Sequence, residues 1–316
     1  MRRTPIRSAV AFAPAAITNF FSISYAWPIG APATPSGATG GGYLLSKGVL
    51  SRATVDAPGE GNAVGTVVNG DPCYDARTTR RALSLLFERY ELRFGRLELE
   101  QSVDVPIGSG FGASAASAVS AVYAASSALG VKAPKSELAQ CAYVAEILEQ
   151  TGLGTVSVTY DGTGAGAITK AGSPGVAKFL NVKVPRGTRL VTASLASYKK
   201  RDALSSPETA RRIIRLGDQA LRRFLADPTL EELASAGEWF SGSLGLESAA
   251  VRKLEAAAKA AGASHASQNM IGHAVHSLAS DEAATKVARA LMKTGVNARV
   301  DLFEVGAVRA CVMADS

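Results

Sequence analysis

The stretch Pro106-Ile107-Gly108-Ser109-Gly110-Phe111-Gly112-Ala113-Ser114-Ala115-Ala116 decides how this chain is read. Ahead of it, Leu97-Glu98-Leu99-Glu100-Gln101-Ser102-Val103-Asp104-Val105 places an apolar residue at every second position except Gln101. That is the period of a half-buried strand in an antiparallel sheet, and Pro106 ends it. Behind it, small residues run on to about Leu129 and predict a long helix starting near Ser114. Gly108, Gly110 and Gly112 supply backbone that can lie against a polyphosphate with no Cβ in the way. The helix start aims free N–H groups and the positive end of its dipole at the same place. Ser114 and Ser117 fall in the first turn, where a hydroxyl can reach a phosphate or a phosphate-bound Mg²⁺.

Two other glycine loops compete for this reading. Gly108-x-Gly110-x-x-Ala113 formally satisfies the permissive dinucleotide fingerprint, but that fingerprint follows a buried parallel strand. Here the strand alternates, and no clear acidic residue closes a second strand about 20 positions on. A Walker loop ends in Gly-Lys-Ser/Thr, and the segment holds no lysine.

The rest of the chain bounds the function. Its 316 residues are 47% hydrophobic and 19% charged, enough apolar material for a sizeable core. No run reaches the roughly 20 apolar residues a bilayer span needs. Arg2, Arg3 and Arg7 before the apolar run Ala9–Ile17 mimic a secretory signal, but Pro14 and the missing cleavage site favour a first strand. The net charge of +7 invites nucleic acid. The basic residues are scattered, however, without interleaved aromatics, so an anionic small substrate explains the balance as well. Cys73, Cys141 and Cys311 stand far apart, which fits a reducing cytoplasm. His273 and His276 could share a helix face, but with no Cys or acidic ligand nearby they read as structural.

Along the chain, 9–13, about 43–55 and 63–68 predict short strands. Between the first two, Pro28–Gly42 is nearly all Gly, Ala, Pro, Ser and Thr: either a flexible linker or a substrate-facing loop. Asp75–Tyr90 predicts a helix with Asp75 as N-cap, and Lys135–Glu149 a second. A glycine-rich hairpin region spans Asp161–Gly175. Past residue 185 the predicted order is a strand at 190–195 and helices at 207–226, 229–241 and 247–261. Strands at 267–271 and 274–279, a helix at 282–294 and a strand at 298–304 complete it. This is an α+β order, with a boundary at about 187 that divides the chain into 1–187 and 188–316.

Pro106–Ala116 resembles the second motif of the GHMP kinases, P-x-x-x-G-[LF]-G-S-S-A-A. More narrowly, Ala13-Pro14-Ala15-Ala16-Ile17-Thr18-Asn19-Phe20-Phe21 resembles the opening of the archaeal pantoate kinase family. So do Gly37-Ala38-Thr39-Gly40-Gly41-Gly42 with Leu45-Ser46-Lys47-Gly48, Ala145-Glu146 with Thr151-Gly152-Leu153-Gly154, and Gly172-Ser173-Pro174-Gly175. Ser267-Gln268-Asn269-Met270-Ile271-Gly272 loosely resembles the third superfamily motif. The resemblance implies a two-domain α+β fold: an N-terminal α/β sandwich with a left-handed βαβ-type phosphate loop and a C-terminal ferredoxin-like α+β sandwich. It implies ATP-dependent phosphorylation of pantoate to 4-phosphopantoate in coenzyme A synthesis, by a homodimer; the composition read above adds a cytoplasmic protein that binds neither nucleic acid nor membrane. By family position Ser114 and Glu146 would hold Mg²⁺, and Pro106 with Gly108–Ala116 (Ser109, Gly110, Phe111, Gly112, Ala113, Ala115) would wrap ATP. Thr18, Asn19, Phe20, Gly37, Gly40 and Gly41 would face the substrate; separately, the positive charge balance and the glycine loops make Lys47, Lys170 and Arg201 candidate partners for a substrate carboxylate.

The departures fall in the chemistry. The superfamily often has Lys, and pantoate kinases His, where this chain has Ala16. Tyr143 stands for a His, and Thr155 for the Asp that is the usual candidate base. A basic and an acidic partner lost together leave no unpaired buried charge. Phosphoryl transfer also relies mainly on positioning and charge neutralisation, so a base is not required. Asp161 is either a substitute base or an ordinary turn residue. Three functions stay open: a pantoate kinase with divergent catalytic residues, a kinase for another small hydroxy acid or isoprenoid alcohol, and a catalytically silent nucleotide-binding regulator.

Overall fold

A long antiparallel ribbon organises the molecule. In the computed structural model, which describes residues 7–24, 37–56, 59, 61–195, 207–306 and 308–313, β1 (Arg7–Ser24) pairs with β2 (Gly37–Asp56) from Arg7↔Val55 to Ser24↔Gly37. Around this ribbon β3 (Ala63–Val68), β4 (Arg96–Val103), β5 (Ala165–Lys170), β6 (Lys178–Val182) and β11 (Cys311–Val312) complete a seven-stranded sheet. Its order is β11-β1-β2-β4-β3, with β5 on the far half of β2 and β6 on β5. The sheet is mixed, because β3 runs parallel to β4.

The ribbon is longer than the expected strand at 9–13. Pro14 brings no N–H to the ladder, and the register shifts between Pro14 and Ala16 and again between Thr18 and Phe20. The strand survives by bulging rather than stopping. The glycine-rich run from Gly37 to Gly42 was expected as a loop or linker; it is the start of β2. A Cβ on Gly40 would lie 2.2 Å from the Phe20 carbonyl oxygen, and one on Gly42 2.0 Å from that of Ile17. Glycine is therefore what permits the close pairing with β1. Residues 28–36 of that run, and Arg201, lie outside the described residues.

Helices α1 (Arg77–Arg89), α2 (Ala113–Ala128), α3 (Lys135–Leu148) and α4 (Thr155–Asp161) pack on one face. Helix α1 starts after Ala76 without a side-chain cap, so Asp75 is not its N-cap and instead meets Arg80 at the surface, 3.5 Å away. Helix α2 is built of Ala, Ser and Val, and small side chains let it lie flat against β1 and β2. Val119, Val122 and Tyr123 are all but fully buried there, each worth about 2 kcal/mol in apolar area removed from water.

Gln101, the break in the apolar alternation of β4, is buried beneath α2. Its amide donates to the Ser117 carbonyl at 3.0 Å and to Ser51 Oγ at 2.8 Å, and it accepts from Thr79. Ser51 meets Ser120 at 2.7 Å, and Ser120 donates to the Ala116 carbonyl. A polar strut thus ties the first turns of α2 to the sheet.

The second sheet holds β7 (Thr188–Leu195), β8 (His265–Gln268), β9 (Ala274–Ser280) and β10 (Ala298–Glu304) in the order β10-β7-β9-β8. Helices α5 (Pro207–Ala226) and α6 (Leu230–Leu244) pack on the β1 half of the ribbon; α7 (Ala249–Ala260) and α8 (Asp281–Met292) cover the second sheet. Thr229, Ser248 and Ser280 cap α6, α7 and α8 through side-chain oxygens. His273 and His276 share no helix: one lies in the β8–β9 turn and the other on β9. Among the described residues no helix is long and apolar enough to cross a membrane.

Candidate active site

The turn from β4 into α2 is made by three glycines in the left-handed region, Gly108 (φ 78°), Gly110 (φ 85°) and Gly112 (φ 62°). Gly112 is the N-cap of α2 and offers no side chain to its free N–H groups. In the first two turns, Ser114 and Ser117 are half-buried while Ala113, Ala115, Ala116 and Ala118 are buried. The turn is held from three sides. Ala16 donates its backbone N–H to the Phe111 carbonyl at 3.0 Å. A Cβ on Gly112 would lie 2.7 Å from Thr155 Cγ2, and one on Gly110 2.9 Å from Asn269 Cβ. Phe111 is buried with its ring centroid 5.7 Å from that of Phe303, and Lys47, exposed, sits over the other ring.

Thr155 opens α4, and the next residue brings the carboxylate into play. Val156 N–H donates to Glu146 Oε2 at 3.3 Å. Glu146 is 1% exposed, and burial raises its pKa from the ordinary 4.5 to about 7, partly offset by that hydrogen bond. Gly152 is where the chain folds over this side chain, since a Cβ there would lie 2.2 Å from Glu146 Oε1. Thr151 fixes the fold-over by donating its N–H to the Glu146 carbonyl and meeting Thr78 through its hydroxyl at 3.0 Å. Tyr143, also buried, has its hydroxyl 2.9 Å from where a Gly37 Cβ would be. Burial, then the neighbouring Glu146, push that phenol above its ordinary range.

The β8–β9 turn closes the third side. Met270 N–H donates to the Thr18 carbonyl at 2.9 Å, and Gly272 packs so tightly on Ser109 that a Cβ would stand 2.3 Å from its carbonyl oxygen. The fold therefore gathers Ala16, Thr18, the 108–116 segment, Glu146, Thr155 and Asn269–Gly272 into one place, although they are far apart in sequence.

Other expected positions lie differently. Asn19 and Phe20 are wholly buried, Asn19 donating to the Leu233 carbonyl on α6. Gly41 faces Leu233 and the Phe20 ring, and Gly40 packs on Phe21. Asp161 is the last residue of α4 rather than a turn residue, about 9 Å along the helix from Thr155, and meets Arg309 at 3.5 Å. Lys170 ends β5 exposed, directly across from Lys178. Sequence reasoning gave Tyr43 and His276 no part here. Both are buried beside the β8–β9 turn, with ring centroids 5.6 Å apart.

The chemistry on offer is a backbone-lined anion cradle at a helix start, with hydroxyls and one buried carboxylate beside it. Comparisons with known proteins agree. The family model described as "GHMP kinases N terminal domain" matches residues 77–162, a span that holds the glycine turn, Glu146 and Thr155. A "Pantoate kinase" of Thermococcus kodakarensis is 28% identical over 302 residues, covering 93% of this chain and 95% of that one. A solved structure titled "Phosphotransferase related to CoA biosynthesis pathway" superposes with a TM-score of 0.84 at 26% identity, over 97% of this chain and 98% of that one. Homoserine kinase from Cytophaga hutchinsonii shares the fold, with a TM-score of 0.68 at 20% identity over 97% of each chain. Residues 77–162 thus carry the GHMP kinase N-terminal pattern, and the full-length likeness to a pantoate kinase and to a phosphotransferase supports an ATP-dependent small-molecule kinase.

Proposed function

We propose that this kinase transfers the γ-phosphoryl group of ATP to a hydroxyl of pantoate, giving 4-phosphopantoate and ADP, as a step of coenzyme A synthesis. One observation carries the reading: three left-handed glycines run into an uncapped helix start beside a buried carboxylate, in a chain 28% identical to a pantoate kinase over 93% of its length. Residues 108–116 take the β- and γ-phosphates through backbone N–H groups. A left-handed glycine turn at an uncapped helix start, with a carboxylate kept from water in the same cluster of elements, fits a nucleotide and its cation. Ser114 and Glu146 would hold Mg²⁺, which neutralises phosphate oxygens when bound.

In the transfer the acceptor hydroxyl oxygen attacks the γ-phosphorus, the bond to the β–γ bridging oxygen breaks, and the hydroxyl proton leaves to solvent or a phosphate oxygen. Thr155 orients rather than deprotonates. Thr18 borders the acceptor, and a basic side chain meets its carboxylate. In this reading 1–187 form the nucleotide- and substrate-binding unit and 188–316 the C-terminal one, in a cytoplasmic homodimer.

Ala16, Tyr143 and Thr155 favour a second reading, a kinase for another small hydroxy acid or alcohol. An ATP-consumption assay of purified protein against pantoate, mevalonate, phosphomevalonate and homoserine separates them. Turnover with pantoate alone is expected. Turnover with a different acceptor would replace the substrate, and nucleotide binding without any turnover would replace the activity.

A further inference from the structure

His276 lies on β9 in the second sheet, 3% exposed, and has no part in the reading above. Its Nδ1 stands 2.9 Å from Oδ1 of Asn269. An amide oxygen only accepts, so Nδ1 must carry the proton. Burial keeps the ring neutral by lowering its pKa to about 3, which leaves this tautomer in place at ordinary pH. With Oδ1 turned toward the imidazole, Nδ2 of Asn269 faces the other way and donates to the Ser109 carbonyl at 3.5 Å. Asn269 is itself fixed, donating its N–H to the Ala274 carbonyl at 2.9 Å and accepting from Gly272 N–H at 2.5 Å. Ser109 sits between two left-handed glycines, and the Gly110 Cα packs against the same turn.

We infer that His276 is a positioning residue for the phosphate loop, fixing the amide orientation of Asn269 so that Asn269 holds the Ser109 carbonyl and with it the 108–112 turn. Without the imidazole donor the amide can flip, and Oδ1 then faces the Ser109 carbonyl, acceptor against acceptor. The glycines at 108, 110 and 112 give this turn many conformations to lose, so a lock from outside the loop matters more than it would for stiffer residues. Tyr43 meets the His276 ring edge-on and packs it from the first sheet. The inference rests on the reading of 108–116 as a nucleotide site.

The test compares wild type with His276→Phe, which keeps ring bulk without the donor, with His276→Gln, which restores a donor, and with Asn269→Ala and the double variant. Affinity is read by displacement of a fluorescent ATP analogue, and KM and kcat by turnover. His276→Phe and Asn269→Ala should each weaken ATP binding by about three- to tenfold, the range of one net hydrogen bond. The double variant should be no worse than either single one, and His276→Gln should recover most of the loss. The KM for ATP should rise while that for the acceptor stays put. In the wild-type protein, ¹H–¹⁵N NMR should find His276 protonated at Nδ1 and bare at Nε2, a result independent of whether the variants fold. Wild type that binds no ATP would sink both readings. Additive losses, a lowered Tm with unchanged ATP affinity, or the opposite tautomer would overturn this one alone.

Discussion

Glu146→Gln removes a proton-binding group from a place that hides it from water, and its consequences for stability and for activity have opposite signs. Burial holds the Glu146 carboxyl at about 7 in the folded chain against an ordinary 4.5. Between those values the native state keeps a proton that the unfolded chain has released, so stability falls as pH rises through that window. The difference is roughly 2.5 pH units at about 1.4 kcal/mol each, or on the order of 3 kcal/mol lost by neutral pH. Glutamine does not ionise, and its amide oxygen can still accept from Val156 N–H. At about pH 8, with metal chelated, the variant should therefore be the more stable protein. With roughly 2.1 cal/mol/K of unfolding entropy per residue over 316 residues, that gain raises Tm by about 5 °C. Near pH 4 the two Tm values should coincide. Turnover should meanwhile fall by about tenfold or more, because the charge that would meet Mg²⁺ is gone. Scanning calorimetry in EDTA across this range, beside an ATP-consumption assay, makes both measurements. Parallel Tm curves for wild type and variant would refute the burial argument, and wild-type turnover would remove Glu146 from the site.

Gly110→Ala should weaken ATP binding by about tenfold or more, measured by analogue displacement, because φ is +85° and the new Cβ meets Asn269 at 2.9 Å. Among the candidate carboxylate contacts, Lys47→Ala, Lys170→Ala and Arg201→Ala should be compared by KM for acceptor and for ATP. The true contact raises the first by about tenfold and leaves the second near wild type. Lys170 faces Lys178 across the β5–β6 ladder, and two like charges opposite one another are eased by a bound anion.

Local pattern carried much of the fold. The amphipathic face of α5 is complete within its own residues, and the bounds read from sequence for α5 and β10, 207–226 and 298–304, are those of the structure. What was not legible depends on partners elsewhere. Pro14 looks like a strand end, and only the bulged pairing with β2 shows how the strand continues past it. The glycines from 37 to 42 look like a loop until the carbonyls of Ile17 and Phe20 lie where their side chains would be. Helix α4 has seven residues, too few for a period to emerge, and β11 has two.

The site divides the same way. Glycine spacing announced a tight turn before a helix, and the turn has that form. Gln101 was visible as an exception, but its meaning lies in Ser117, Ser51 and Thr79, which only the fold brings near. His276 drew notice only beside His273 as a weak metal candidate, and its partnership with Asn269 shows only once the fold sets Asn269 Oδ1 at its Nδ1.

The position of Thr155 narrows how the reaction can run without a carboxylate base. Thr155 opens α4 with its methyl against Gly112, so the residue stands beside the phosphate turn. Asp161 closes the same helix, about 9 Å further along the axis, and meets Arg309 in an exposed pair. A general base must reach the proton it takes within hydrogen-bond distance or through one water, and a residue at the far end of a rigid helix does neither while Thr155 lines the cradle. Asp161→Asn should then cost less than about twofold in kcat, since an exposed ion pair is worth little and the base role is absent. Thr155→Ala should cost about fivefold, the loss of one orienting hydrogen bond. Thr155→Asp, which puts the usual acid back, should not raise turnover, because Ala16 leaves the new charge without its basic partner beside phosphate. Single-turnover kinetics of the three variants settle the matter. A loss of about 10²-fold in Asp161→Asn would mean that the acceptor binds over the other end of α4 and that Asp161 takes its proton.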